Sequence, residues 1–299
     1  MDLSIIIVHY NVLEYLRGCL LSFFSSKKHF AAEILIIDNH SKVFCSDKIK
    51  MEFPAIKVIE NEKNMGYSFA ANQGIKKSKG RYILLLNPDT IFPKEGLDKL
   101  IEYMDKNPKV GICGCKMVNP KGKLLYSCRS FPSFMTSISS SQSILYRYFP
   151  SNPLSNKYLL KDFDHSQIKE VDWVSGSCLL ARGEMIEQIG FLDEDYFMYV
   201  EDVDFCLRAK QNGWRVVYFP LVTFIHFVGK STYQDRLRMQ LEKHKSMYYF
   251  YKRHYKTNLI LSLVVFLGIL FRLFFISFGV LFHRSSGSPE ANENKIRRA

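Results

Sequence analysis

Four short aliphatic runs, each ending in a cluster of polar side chains, constrain this 299-residue chain more than any other feature. Residues 4–9, 33–37, 56–60 and 82–86 are dominated by Ile, Leu and Val and have the length of strands buried on both faces. Between them, residues 13–24, 44–53 and 67–78 carry apolar side chains at helical spacing, most weakly in the second. This alternation predicts a doubly wound, mostly parallel sheet with right-handed crossovers. Ligands of such sheets bind outside the carboxyl ends of the strands. Every polar cluster falls there: His9-Tyr10-Asn11, Asp38-Asn39, residues 61–66 and Asn87-Pro88-Asp89. One site is expected to collect all four.

The pattern continues with a helix over 93–106 opened by Pro93 and a strand over 110–118, then loosens. Residues 119–170 are rich in Ser, Pro, Tyr and Phe with little periodicity, and read as a substrate-specific insertion. Order returns over 173–181, with a helix over 201–211 closed by Asn212-Gly213, a strand over 215–219 and an amphipathic helix over 234–254. We therefore divide the chain into a catalytic domain at 1–257, with halves 1–118 and 119–257, a hydrophobic segment at 258–284 and a disordered basic tail at 285–299.

The net charge of +12 raises the question of nucleic acid. Residues 230–299 hold 13 Lys/Arg against 4 Asp/Glu, so most of the excess lies beside an apolar run, where membrane lipid explains it better. Residues 259–282 contain one charge, Arg272, and 19 residues that are Leu, Ile, Val or Phe. At roughly −0.3 to −0.6 kcal/mol each, these outweigh an Arg costing about 2.5–3.5 kcal/mol, so membrane association is expected, as a single span or as a re-entrant or surface-lying pair. Lys243, Lys245, Lys252, Arg253 and Lys256 put the preceding domain on the cytosolic side. The start of the chain has no basic region ahead of a long apolar run, hence no signal peptide is expected. The seven cysteines, odd in number and without a C-x-x-C pair, read as reduced core residues.

Several clusters carry chemistry. A carboxylate at Asp38 either caps a turn with Asn39 or accepts a hydrogen bond from a pyrimidine imide, and Tyr10 can lie along a base. Asn64-Met65-Gly66 allows a tight turn into a helix from which Asn72 can point to the cleft. Asn87-Pro88-Asp89 is either a turn or a rigidly held oxygen ligand where Mg²⁺ or Mn²⁺ can bridge to a diphosphate. Glu201-Asp202-Val203-Asp204 follows an aromatic stretch, and partial burial there raises a carboxyl pKa toward the range of a general base. Asp202 and Asp204 cannot share a helical face, so one can serve the cleft while Asp204 pairs with Arg208 at i+4. His226, after the last strand, is either structural or a metal contact.

Together these residues resemble the family 2 inverting glycosyltransferases, in particular the rhamnosyltransferase-like branch of bacterial cell-surface polysaccharide synthesis. The resemblance runs from about residue 4 to 255 through VHYN at 8–11, DN-S at 38–41, NMGY at 64–67, NPDT at 87–90, RSFPS at 129–133, WVSGSCLL at 173–180, FLDEDYFMYVEDVDFCLR at 191–208 and HFVGKS at 226–231. It implies a GT-A type fold, a nucleoside-diphosphate sugar donor and a divalent metal. It also assigns roles. Tyr10, Asn11 and Asp38 are similar to base-binding positions, and Asn39, Asn64, Gly66, Asn72 and Asn87 border the donor. Asp89 matches the last residue of a D-x-D-like metal motif whose first position is Asn87, His226 a second contact to metal or diphosphate, and Asp202 the catalytic base, with Glu201 and Asp204 in support. Arg129, Trp173, Gly176 and Ser177 match segments bordering the donor sugar and acceptor. The resemblance points to dTDP-rhamnose as donor, with a UDP-linked hexose or N-acetylhexosamine as the alternative, and to a lipid-linked saccharide or other glycan as acceptor at the inner face of the cytoplasmic membrane. A nucleotidyltransferase would need a Gly-rich basic triphosphate loop after the first strand, which is missing. A non-catalytic scaffold would have lost a metal or base residue, and both are present.

Overall fold

The computed structural model describes residues 1–133, 152–229, 236–255, 263 and 265–270. Its first half is built by Leu3–His9 (β1), Leu13–Phe24 (α1), Ala32–Asp38 (β2), Ser46–Glu52 (α2), Ile56–Glu60 (β3), Tyr67–Lys77 (α3) and Tyr82–Leu86 (β4). The four strands lie parallel in the order β3-β2-β1-β4. Both faces of β1 are covered, with Leu3, Ile5, Ile6 and Ile7 buried, which is why the run is continuously apolar rather than alternating. Helix α1 buries Leu16, Cys19, Leu20 and Phe23, the helical spacing read from the sequence.

The second half follows as Thr90–Ile91 (β5), Leu97–Lys106 (α4), Val110–Val118 (β6), Leu124–Leu125 (β7), Cys128–Arg129 (β8), Pro153–Leu159 (α5), Lys169–Glu170 (β9), Trp173–Val174 (β10), Cys178–Arg182 (β11), Gly183–Ile189 (α6), Glu201–Gln211 (α7), Arg215–His226 (β12) and Arg236–His254 (α8). The sheet extends β3-β2-β1-β4-β11-β6-β12-β5, with β11 wedged antiparallel between β4 and β6 and β12 parallel to β6. β8 and β10 form a separate two-stranded ladder. The architecture is thus a mixed, mostly parallel α/β sheet of GT-A-like form, in which the two sequence halves interleave rather than stand apart.

Three local readings are sharpened. The ordered stretch over 173–181 holds two strands, because residues 175–177 turn between β10, paired with β8, and β11, paired with β4 and β6. The strand expected over 215–219 runs on to His226 through Pro220: the register against β6 shifts between Phe219 and Thr223, which spares the proline a ladder donor it lacks. The helix expected from 93 begins at Leu97, after Gly96 in the left-handed region. Of the loosely patterned 119–170 stretch, β7, β8, α5 and β9 are described, and residues 134–151 lie outside the described residues.

The chain divides into two compact units, Met1–Gln234 and Asp235–Ala299, so α8 groups with the C-terminal segment, whereas the sequence drew that line at 257. Most of the 258–284 hydrophobic segment and all of the 285–299 tail lie outside the described residues. No helix among the described residues is long and apolar enough to cross a membrane. All seven cysteines are free. Six are buried, and Cys45 is exposed just ahead of α2 rather than in the core.

Candidate active site

The carboxyl ends of β1 and β2 are in register, which sets His9 beside Asp38. The Val12 N–H donates to His9 Nε2, so Nδ1 carries the ring proton and donates to Asp38 Oδ1 at 2.7 Å. Ser41 adds its hydroxyl to Asp38 Oδ1 and its N–H to Oδ2. Burial pushes the Asp38 carboxyl pKa up, and the donors His9 and Ser41 outweigh it and hold the group below its ordinary value. Of the two readings of Asp38, the described contacts are those of the turn: three donors from His9 and Ser41 meet its oxygens and shape residues 38–42. Asn11 closes that turn: its N–H donates to Ser41 Oγ and its Oδ1 accepts from the Lys42 N–H. Tyr10, half-buried, makes no hydrogen bond or ring contact among the described residues.

Asn39 and Asn64 tie β2 to the loop before α3. Asn39 Nδ2 donates to Asn64 Oδ1 and the Gly66 carbonyl, its Oδ1 accepts from Asn61 and the Met65 N–H, and Asn64 Oδ1 also accepts the Gly66 N–H. Gly66 sits at φ +90°, ψ 170°, a region open essentially to glycine alone, and a Cβ there would lie 2.5 Å from the Phe197 carbonyl oxygen. Asn72 was expected to reach the cleft. Its amide is instead spent on Leu192, accepting the N–H and donating to the carbonyl, and on Glu194 Oε1, so it fastens α3 to the 192–197 segment.

Asp89 and His226 meet because β5 pairs antiparallel with β12 and places Thr90 opposite His226. His226 Nε2 lies 3.1 Å from Asp89 Oδ1 and 3.4 Å from Asn87 Nδ2, and Phe227 N–H donates to the Asp89 carbonyl. Asp89 and His226 are both buried. Among the described residues no third His, Cys, Asp or Glu joins them. Neighbouring ligands about 2.1 Å from an octahedral Mg²⁺ lie roughly 3.0 Å apart, so an oxygen and a nitrogen at this spacing suit two adjacent positions. Such ions are commonly held by one or two protein groups plus substrate phosphates and water, so the pair fits a divalent metal.

Asp202 stands in the first turn of α7. Its Oδ2 accepts the Gly176 N–H at 2.8 Å and its Oδ1 accepts the Val203 N–H. Burial raises its pKa, opposed by these backbone donors and by the nearby positive charge of Arg129. Glu201 is buried, its Oε2 has no partner, and burial first and then the charge of Asp202 hold it protonated well above the ordinary carboxyl range. Asp204 is fully buried and pairs with Arg208 at 2.7 Å, the i+4 ion pair read from the sequence. Tyr199 and Val200, at φ +68° and +71°, aim the start of α7. A β-branched residue with positive φ is a strained choice that the surrounding packing must hold.

Residues 173–177 link these groups. Trp173 pairs with Arg129 across β10 and β8, the Gly176 N–H reaches Asp202, and the Ser177 carbonyl accepts the Asn87 N–H. The Ser177 hydroxyl lies 2.9 Å from that of Ser175. Trp173 Nε1 donates to the Ser130 carbonyl, and Arg129 stacks over the Trp173 ring with 5.1 Å from its guanidinium carbon to the centroid. His9, Ser41 and Tyr67 stand in the motifs read from the sequence but were given no role of their own. Tyr67 has its hydroxyl pKa raised by burial first and then by the neighbouring carboxyls of the 201–202 pair. A polar residue closing an aliphatic strand, a Ser three after Asp38 and an aromatic one after Gly66 were the available signals.

A mixed sheet of this order, with a buried Asp–His pair and a helix-borne carboxylate at its carboxyl edge, has the GT-A-like form of glycosyltransferases. The chain belongs to glycosyl transferase family 2, whose family model matches residues 4–163. It is 30% identical over 228 residues to the N-acetylglucosaminyl-diphospho-decaprenol L-rhamnosyltransferase of Mycobacterium tuberculosis, covering 73% of each chain. It is 28% identical to rhamnosyltransferase WbbL of Escherichia coli, covering 80% of this chain and 89% of that protein. Among solved structures, the mannosyltransferase PcManGT from Pyrobaculum calidifontis, in complex with GDP-Man and Mn²⁺, superposes with a TM-score of 0.58 at 16% identity, over 96% of this chain and 76% of that one. Residues 1–349 of TarS from S. aureus superpose with a TM-score of 0.53 at 16% identity, and there the chain spans 81% of its own length and 65% of the other. Likeness at that identity speaks for the fold alone.

Proposed function

We propose that the chain transfers a hexosyl residue, rhamnose from dTDP-rhamnose, to a lipid-linked saccharide with inversion at the anomeric carbon. The observation that carries this reading is the separation of Asp202 from the Asp89–His226 pair by one short segment, residues 173–177, that touches both sides. Tyr10 lies along the base, and Asn11 and Asp38 keep the 38–42 turn in shape beside it. Asp89 and His226 would hold Mg²⁺ or Mn²⁺, which when bound would neutralise charge developing on the departing nucleoside diphosphate. Asp202 takes the proton of an acceptor hydroxyl. That oxygen forms the new bond to the anomeric carbon from the face opposite the diphosphate, whose bond breaks with its electron pair, and the configuration inverts. Glu201, kept neutral, adds no second negative charge beside the base. The hydrogen bonds from Gly176 and Val203 fix the orientation of the carboxylate without saturating its four acceptor sites.

The names of the rhamnosyltransferase relatives support rhamnose as the sugar, and that of the Mycobacterium tuberculosis protein supports the diphospholipid character of the acceptor. The apolar 258–284 segment supports work at the inner face of the cytoplasmic membrane, and in its described part Phe266, Leu267 and Leu270 are exposed. The test is a panel of nucleotide sugars with a short-chain sugar-diphospholipid acceptor, with and without Mn²⁺. Transfer from dTDP-rhamnose should dominate, require the metal and be lost in Asp89→Ala. Equal turnover with metal chelated, or a preferred UDP-hexose, would overturn the metal or the donor respectively.

A further inference from the structure

Arg129 is held as if for an anion that is not part of the protein. Its Nε donates to the Tyr126 carbonyl at 3.1 Å, and its guanidinium lies over the rings of Trp173 and Tyr158, 5.1 Å and 5.8 Å from their centroids. Among the described residues neither terminal nitrogen makes a hydrogen bond or ion pair, although Arg129 is half-buried. A planar fork stacked and anchored at one edge, with its outer edge unoccupied, is the arrangement that recognises a phosphoryl group bidentately.

Its position selects which phosphoryl group. Along residues 173–177 the order of contacts is Arg129 opposite Trp173, Asp202 at Gly176 and Asn87 at Ser177, with Asn87 leading to Asp89 and His226. Along the segment, Arg129 therefore meets the end nearer the Asp202 station, and Asn87 the other end. Three residues of backbone separate the Trp173 and Gly176 stations, at most roughly 10 Å, a span that one monosaccharide and its phosphate can fill. The Arg129 charge is felt at Asp202, and among the described residues the two form no ion pair. We infer that Arg129, stacked on Trp173, binds the phosphate attached to the acceptor sugar, so that the acceptor is measured from its diphosphate to the hydroxyl at Asp202. This inference rests on the glycosyltransfer reading proposed above.

The test is calorimetric binding of two acceptor analogues to the full chain, one a sugar carried on a short-chain alkyl diphosphate and the other the same sugar on a neutral alkyl ether. The native protein should prefer the diphosphate by about tenfold or more, the scale of one charged hydrogen-bonded contact. In Arg129→Gln that preference should vanish, and in Arg129→Lys, which keeps the charge without the fork and serves should the Gln variant not fold, it should fall severalfold. A native protein without the preference, or variants that keep it, would sink the inference. So would loss of nucleoside diphosphate affinity in the variants with acceptor preference intact, which moves the anion to the donor. If the preference behaves as described but no sugar is transferred to the charged analogue, the glycosyltransfer reading fails while the Arg129 assignment stands.

Discussion

At the scale of single residues, two neighbouring carboxyls are driven apart in function by their surroundings. Asp202 keeps two backbone donors and a nearby guanidinium, while Glu201 is buried with an oxygen that has no partner. Asp202→Asn removes the proton acceptor and leaves volume and backbone contacts nearly unchanged, so turnover should fall by about 100-fold or more, with nucleoside diphosphate affinity kept. Turnover near native in that variant would remove Asp202 from the mechanism. Glu201 makes a prediction about pH. Its folded pKa is raised, so between the ordinary carboxyl range and that raised value the folded protein binds the extra proton, and stability falls as pH rises through the interval. Glu201→Gln lacks that proton equilibrium, so its melting temperature should decline less than the native protein's over the same rise in pH. Parallel curves would show that Glu201 ionises freely in the folded state.

Among the elements, turns rather than strands carry most of the precision of the site. The 61–66 loop is held by Asn39 and Asn64 and passes under Phe197 only because Gly66 has no Cβ. Gly66→Ala should cost on the order of 1–3 kcal/mol from the backbone conformation alone, with an added steric cost. Chemical denaturation checks the first figure, and a loss below about 0.5 kcal/mol would mean that the loop relaxes freely. β12 shows the converse case, in which an element reads as shorter than it is because Pro220 is tolerated only through a register shift that the partner strand β6 supplies. Likewise the apolar run at 173–181 conceals a turn at 175–177, visible only once β4 and α7 are present to receive its N–H and carbonyl groups.

For the whole molecule, the compact unit Met1–Gln234 contains the sheet, the Asp89–His226 pair and Asp202. A chain ending at Gln234 should therefore melt cooperatively and retain nucleoside diphosphate binding, while it no longer sediments with membranes. Circular dichroism, calorimetry and vesicle sedimentation follow the three properties. A non-cooperative melt would show that α8 is part of the folding unit, and continued sedimentation would place the lipid contact within the first 234 residues.

The alternation of aliphatic runs and helical spacing was enough to read the parallel half of the sheet and to assemble the polar clusters at its carboxyl edge, because burial on both faces leaves a local, periodic mark. The placement of Asp89 and Asp202 and the Asp204–Arg208 pair were legible for a related reason: each lies at an element end or within one helical turn of its partner. Contacts between segments distant in sequence left no such mark. The 3.1 Å approach of His226 to Asp89 depends on how β5 pairs with β12, and the engagement of Asp38 by His9 and Ser41 on the register of β1 against β2. Asn72 turned from the cleft to Leu192 for the same reason, since an amide finds its partners through the packing of elements and no local pattern records which carbonyl that packing delivers.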